Sequence, residues 1–253
     1  MLVLDTNFLF ILIEGIIRYV QELNPELATK ANRLPCIIQE IDKVITIIRG
    51  CCSLDGNIYI SNRVLYDEVM VVDPRARGLI EFSKYNNNNR REILRVLQNH
   101  MPEPRIIPEL EVKGLQHLFA NPNICPKDRD ASLMVLSLHL GSEGMPSLVL
   151  TEDPDFKKPF RQLIRKGAIT LEGTEFPTSR TIDRSYFSFL DKLHRCCGLT
   201  SEQYTHITQA YLLALYNRSA EIKRQKVGVR NDQLVANALK IFTTSINLKS
   251  AGV

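Results

Sequence analysis

Tryptophan is absent from this chain of 253 residues, and aromatic residues make up only 7% of it. The missing tryptophan carries no functional meaning. Long apolar runs are missing too. No uninterrupted stretch reaches the roughly 18 residues of a membrane-spanning helix, which argues against a helical membrane protein. The N-terminus is apolar but has no basic leader, and Asp5 and Glu14 interrupt it, which argues against a signal peptide. The six cysteines show neither Cys-x-x-Cys nor the Cys/His spacing of a zinc site. Two adjacent pairs occur, Cys51-Cys52 and Cys196-Cys197. Sequence neighbours rarely bridge each other, so the expectation is reduced thiols in a cytoplasmic protein. The five histidines show no paired ligand spacing, and no internal repeat or long low-complexity segment is present.

What remains is ordinary globular composition, 44% apolar and 24% charged, enough to build a core of normal size. The net charge of +4 is unevenly spread. Residues 157–253 hold 16 Lys and Arg against 7 Asp and Glu, whereas residues 1–156 hold 16 against 21. An acidic first part and a basic last part suit a protein that binds cations in one region and meets phosphates with another.

The acids stand at informative places. Met1-Leu2-Val3-Leu4 reads as a short buried strand, and it ends on Asp5-Thr6-Asn7. Thr6 and Asn7 offer side-chain oxygens to cap the helix that follows. An acid at the carboxyl end of a parallel strand faces the crevice where open α/β sheets hold their ligands. Glu68 comes shortly after the strand-like Ile58–Ser61, on the border of a stripe of Val64, Leu65, Val69 and Val72. Asp128 and Asp130 open the apolar helix Ala131–Leu140, and Asp153 and Asp155 follow the strand-like Leu148–Leu150. Carboxylates converging from these positions would repel one another unless a cation sat between them. Hard divalent ions such as Mg²⁺ and Mn²⁺ take such oxygen ligands.

The opening D-T-N, the V-L-Y-D-E-V segment around Glu68, the D-x-D-A-S-L segment and L-T-E-D-P-D-F resemble, in order and approximate spacing, the motifs of PIN-domain ribonucleases. The resemblance covers residues 1–172. It implies an α/β fold with a largely parallel, doubly wound sheet. It also implies metal-dependent hydrolysis of RNA phosphodiester bonds, with Asp5, Glu68, Asp130 and Asp153 as catalytic ligands of Mg²⁺ or Mn²⁺. Asp155 and Asp128 are further candidate ligands, and the order of Asp153 and Asp155 stays open. So does the choice between one metal and two. Thr6, Asn7 and Thr151 fall to supporting or phosphate-side positions. Lys157, Lys158 and Arg161 follow the last acidic motif and are candidate contacts to a nucleic-acid backbone. Many relatives are toxins held by small antitoxins, so a protein inhibitor is among the implied partners.

Beyond Gly173 the pattern changes. Ala168–Leu171 reads as the last strand and Glu175–Arg180 as a linker. Helices are expected at Arg184–Cys196, Ser201–Lys226 and Asp232–Asn247, with Thr200 and Gln203 forming a capping box for the second. The chain thus divides into a PIN-like domain, 1–172, and a C-terminal α-helical extension, 173–253, for which the resemblance supplies no role. An extension of this kind would cover the crevice or form a homodimer. A haloacid-dehalogenase phosphatase is disfavoured because Asn7 stands where that family needs a second Asp. A flap-endonuclease type, acting on single-stranded DNA, lacks its helix-hairpin-helix glycine pattern here. The remaining alternative is a catalytically silent PIN-like scaffold that binds RNA or a protein partner.

Overall fold

Strand β1, Leu2–Leu4, is buried at all three positions, as continuous aliphatic runs in parallel sheets usually are. The computed structural model in which it lies describes residues 1–25, 30–52, 58–65, 79–101, 105–119, 121, 124–151, 153–178 and 181–224. Glu68 and the helix expected at 232–247 lie outside the described residues. Within them the protein is mixed α/β and mostly helical.

Helix α1 (Thr6–Leu23) follows β1, then α2 (Lys30–Cys52), β2 (Ile58–Tyr59), α3 (Asn62–Val64), α4 (Ile80–Ser83), α5 (Asn87–Asn99), α6 (Glu109–His117) and α7 (Asp128–Ser142). After these come β3 (Ser147–Leu150), α8 (Pro154–Ile164), β4 (Ala168–Leu171), β5 (Thr174–Pro177), β6 (Thr181–Arg184), α9 (Tyr186–Cys196) and α10 (Ser201–Arg224). Asp5, not Thr6 or Asn7, caps α1 by accepting the Asn7 amide. Ser61 caps α3 by accepting the Val64 amide at 3.2 Å. Asn86 likewise caps α5, accepting the Asn89 amide at 2.9 Å, so the asparagine run starts a helix. Asp130 lies in the first turn of α7 rather than at its cap.

Strands β2, β1, β3 and β6 form one parallel sheet in that order. The chain leaves β1 for β2 on one side, then returns to add β3 and β6 on the other. The order therefore reverses between β1 and β3, and such a switch point opens a crevice beyond the strands' carboxyl ends. β4 is not the last strand of this sheet, as the sequence suggested. It pairs antiparallel with β5 alone, through a two-residue turn in which Glu172 and Gly173 both have positive φ, 47° and 80°. That is the turn twist favoured in tight hairpins. The expected linker 175–180 accordingly contains most of β5.

Helix α1 is buried on nearly every side, because α2, α4 and α10 all pack against it. The closest crossing is at Gly15, where an added Cβ would lie 2.4 Å from the Ile207 Cα. One core cluster joins Phe8, Leu12 and Ile16 to Tyr186, Phe189, Leu193, Tyr204 and Ile207, so residues on both sides of 172/173 share it. The expected capping box forms: the Thr200 amide donates to Gln203 Oε1 at 2.9 Å, and the Gln203 amide to Thr200 Oγ1 at 3.2 Å.

The cysteines depart from expectation. Neither adjacent pair bridges internally, but Cys51, at the end of α2, is disulfide-bonded to Cys197, just past α9. The two lie 146 positions apart with Cα atoms at 5.7 Å, inside the range a disulfide needs. The thiol expectation therefore fails for this pair and holds for Cys36, Cys125 and Cys196, which are free.

Candidate functional site

Register brings the strand ends to one level. Leu4 pairs with Leu150, and Leu150 with Arg184, so the next residues, Asp5, Thr151 and Ser185, stand side by side at the carboxyl edge. Val3 pairs with Tyr59, and extending that ladder by two residues puts Ser61 level with Asp5. The switch point between β1 and β3 is thus occupied by Asp5 and Thr151.

These two touch. The Thr151 hydroxyl donates to Asp5 Oδ2 at 3.2 Å, and its oxygen accepts the Asp153 backbone N–H at 3.1 Å. With a lone pair taken by that amide, the Thr151 proton is committed to Asp5. Asp5 Oδ2 also accepts the Tyr186 hydroxyl at 2.9 Å, while Oδ1 faces the Asn7 amide at 3.4 Å. Thr151 and Thr6 are buried, and Asp5, Asn7 and Asp153 are half-buried. Two hydroxyls and a helix-start amide thus fix the position of this carboxylate.

Tyr186 is the residue that sequence reasoning missed. It is 1% exposed and begins α9 directly after its cap, Ser185. The signal was present: Thr181–Arg184 followed by Ser-Tyr repeats the strand, polar cap and helix order of Leu2–Leu4 followed by Asp-Thr. The ring lies 5.2 Å from Phe8 on α1 and 5.9 Å from Tyr211 on α10, so packing fixes where its hydroxyl points.

The other expected residues are distributed around this edge. Asp130 is half-buried in the first turn of α7. That turn is drawn to the end of β2 by a 2.8 Å bond between the Ser132 and Ser61 hydroxyls. Asp128, on the same turn, faces outward: its side chain is 66% exposed, accepts Gln116 Nε2 at 2.9 Å and stands 4.0 Å from Arg63. Asp155 falls within the first turn of α8, and its side chain lies outside the described part. Lys157 is half-buried on α8, and Lys158 and Arg161 are exposed. The Asp153 carbonyl accepts the Phe156 and Lys157 amides at 3.2 and 2.9 Å, so α8 starts at the site itself.

Other acids and histidines of the described residues have structural partners. Glu40 bonds Gln203 and, at 3.1 Å, Lys43. His139 meets Glu111 at 2.6 Å and stands edge-on to Phe176. His194 bonds the Leu199 carbonyl and stacks on Tyr204, and His206 meets Glu22 at 2.6 Å. Glu14, 3% exposed, accepts the Glu81 and Phe82 amides, each at 2.9 Å, and so holds the start of α4. Among the described residues, no three His, Cys, Asp or Glu side chains form a group able to hold a metal ion. No described helix is long and apolar enough to cross a membrane. Compared with protein-family models, with curated proteins and with solved structures, the chain matches none.

Proposed function

We propose that this chain is a metal-dependent ribonuclease of PIN type, with a doubly wound sheet whose switch point carries the reaction. The observation that carries the reading is the Asp5 carboxylate. It stands at the switch point between β1 and β3, is oriented by two hydroxyls, and is tied through Thr151 to the backbone of Asp153. The donor chemistry supports Mg²⁺ or Mn²⁺: the candidate ligands are carboxylates, the hard oxygen donors such ions take. Asp5 and Asp153 would hold the ion, with Asp130 from α7 and Glu68 completing the set. When bound, the ion would lower the pKa of its water and offset charge on the phosphate.

The chain's own residues have separable tasks. Thr151 holds Asp5 and Asp153 in register. Lys157, Lys158 and Arg161, on the helix that starts at Asp153, would meet the phosphodiester backbone. The Asn7 backbone amide, by donating to Asp5 Oδ1, ties the carboxylate to the first turn of α1.

The test is cleavage of mixed RNA and single-stranded DNA with Mn²⁺, with EDTA, and with Asp5→Asn. The expected result is RNA cleavage that EDTA and Asp5→Asn both abolish. Equal degradation by the variant would remove the mechanism. A second reading, a silent PIN-like scaffold that binds RNA, draws support from the lack of a three-ligand group among the described residues. RNA binding without cleavage, unchanged by Mn²⁺ or by Asp5→Asn, would favour it.

A further inference from the structure

We infer that Tyr186 is a positioning residue for the Asp5 carboxylate, so that the C-terminal helices set the affinity of the site for its divalent ion. The inference rests on the reading of Asp5 as a metal ligand and goes beyond it, because Tyr186 belongs to none of the four acidic motifs. Two hydroxyls, from Thr151 at 3.2 Å and Tyr186 at 2.9 Å, converge on the same oxygen, Oδ2. Two donors occupy both lone-pair directions of that atom. The carboxylate is thereby held about its terminal torsion, and a cation would share Oδ1 with the Asn7 amide, which stands 3.4 Å from it.

The two hydroxyls come from opposite parts of the sequence. Thr151 follows β3. Tyr186 starts α9, after the last strand of the sheet, and its ring packs between Phe8 of α1 and Tyr211 of α10. Phe187, the next residue, lies 6.5 Å from Tyr204 and 6.4 Å from Tyr211. A shift of α10 would therefore move the Tyr186 ring, and with it the hydroxyl on Asp5. Partners that orient a ligand in this way typically change metal affinity or activity by about 10–100-fold when removed.

The experiment is Mn²⁺ titration by calorimetry on the full chain as wild type, Asp5→Asn, Tyr186→Phe and Tyr211→Phe. Metal-free thermal unfolding is recorded for each, and kcat and KM on RNA are measured at saturating Mn²⁺. Tyr186→Phe deletes only the donor and keeps the ring. Tyr211→Phe makes the same deletion one ring away from Asp5. The expected result is a Mn²⁺ Kd about tenfold or more weaker for Tyr186→Phe alone, with kcat reduced and KM unchanged. Its metal-free unfolding midpoint should match that of Tyr211→Phe. If Tyr186→Phe fails to fold, para-fluorophenylalanine at 186, which fills the hydroxyl's space without donating, replaces it. A Mn²⁺ Kd equal to wild type in the donor-less protein overturns the positioning role while Asp5→Asn still loses the ion. A wild type that takes up no Mn²⁺ overturns the ribonuclease reading, and this role with it.

Discussion

Gly15→Ala should loosen the joint between α1 and α10, and the size of the effect follows from the geometry. The added Cβ would stand 2.4 Å from the Ile207 Cα and 2.9 Å from both its N and Cγ1. Carbon atoms pack at about 3.5–4.0 Å, so α10 would have to retreat by about 1 Å at this crossing. The nearest obstacle is backbone, which cannot rotate aside as a side-chain tip would. Overpacking of this kind costs about 1–3 kcal/mol. Alanine's helix propensity returns up to about 1 kcal/mol. The net expectation is a loss of about 1–2 kcal/mol. For a chain of this size that lowers the unfolding midpoint by about 2–8 °C. Gly50→Ala is the matched control: it also lies in a helix, α2, but an added Cβ meets nothing within 4 Å. There only the propensity gain operates, and the midpoint should hold or rise. Thermal unfolding followed by far-UV circular dichroism reads both. If Gly15→Ala proves as stable as Gly50→Ala, the close crossing at Ile207 is refuted, and so is the path from α10 to Tyr186.

Two further outcomes follow from charges and cross-links, alongside those given for Asp5→Asn and Tyr186→Phe. Reduction of the Cys51–Cys197 link, or Cys51→Ser, should lower stability by about 2–5 kcal/mol, since the link closes a loop spanning 146 positions. A wild-type midpoint indifferent to reductant would contradict the pairing. Glu143 accepts Arg105 in a two-pronged pair, with Nη2 to Oε2 at 2.8 Å. That hydrogen bond holds the Glu143 carboxyl below its ordinary pKa against a smaller opposing effect of burial. Its contribution is therefore complete above the ordinary carboxylate range and disappears as pH falls through the lowered folded value. The side chains are 33% and 41% exposed, so the contribution is below about 1 kcal/mol. The stability gap between wild type and Glu143→Gln should close on acidification, and a gap that stays constant across that range would contradict the assignment.

Features set by neighbouring residues were legible in the sequence. The aliphatic run before Asp5, the Thr200/Gln203 capping box and the apolar helix after Asp130 each express a local pattern of spacing and capping chemistry. The β4–β5 hairpin escaped because its turn, Glu172-Gly173, puts a non-glycine residue at positive φ. That choice is uncommon enough to hide the signal. The disulfide and the Tyr186–Asp5 bond escaped for a different reason. Both join positions well over a hundred residues apart, and only the packing of α2, α9 and α10 determines that they meet.

The same packing explains how Asp5, at the end of the first strand, comes to meet a residue of α9. A parallel sheet sends every strand end to one edge, so β6 delivers its successor, Ser185, to the level of Asp5 whatever the sequence distance. The residue after that starts a helix and must bury its ring. Phe8 and Tyr211 supply the apolar wall for it, which leaves the hydroxyl as the polar tip in need of an acceptor. Asp5 Oδ2 accepts it at 2.9 Å. A phenylalanine at 186 would satisfy the wall equally well, so packing alone does not account for tyrosine here, whereas the hydroxyl's bond to Asp5 does.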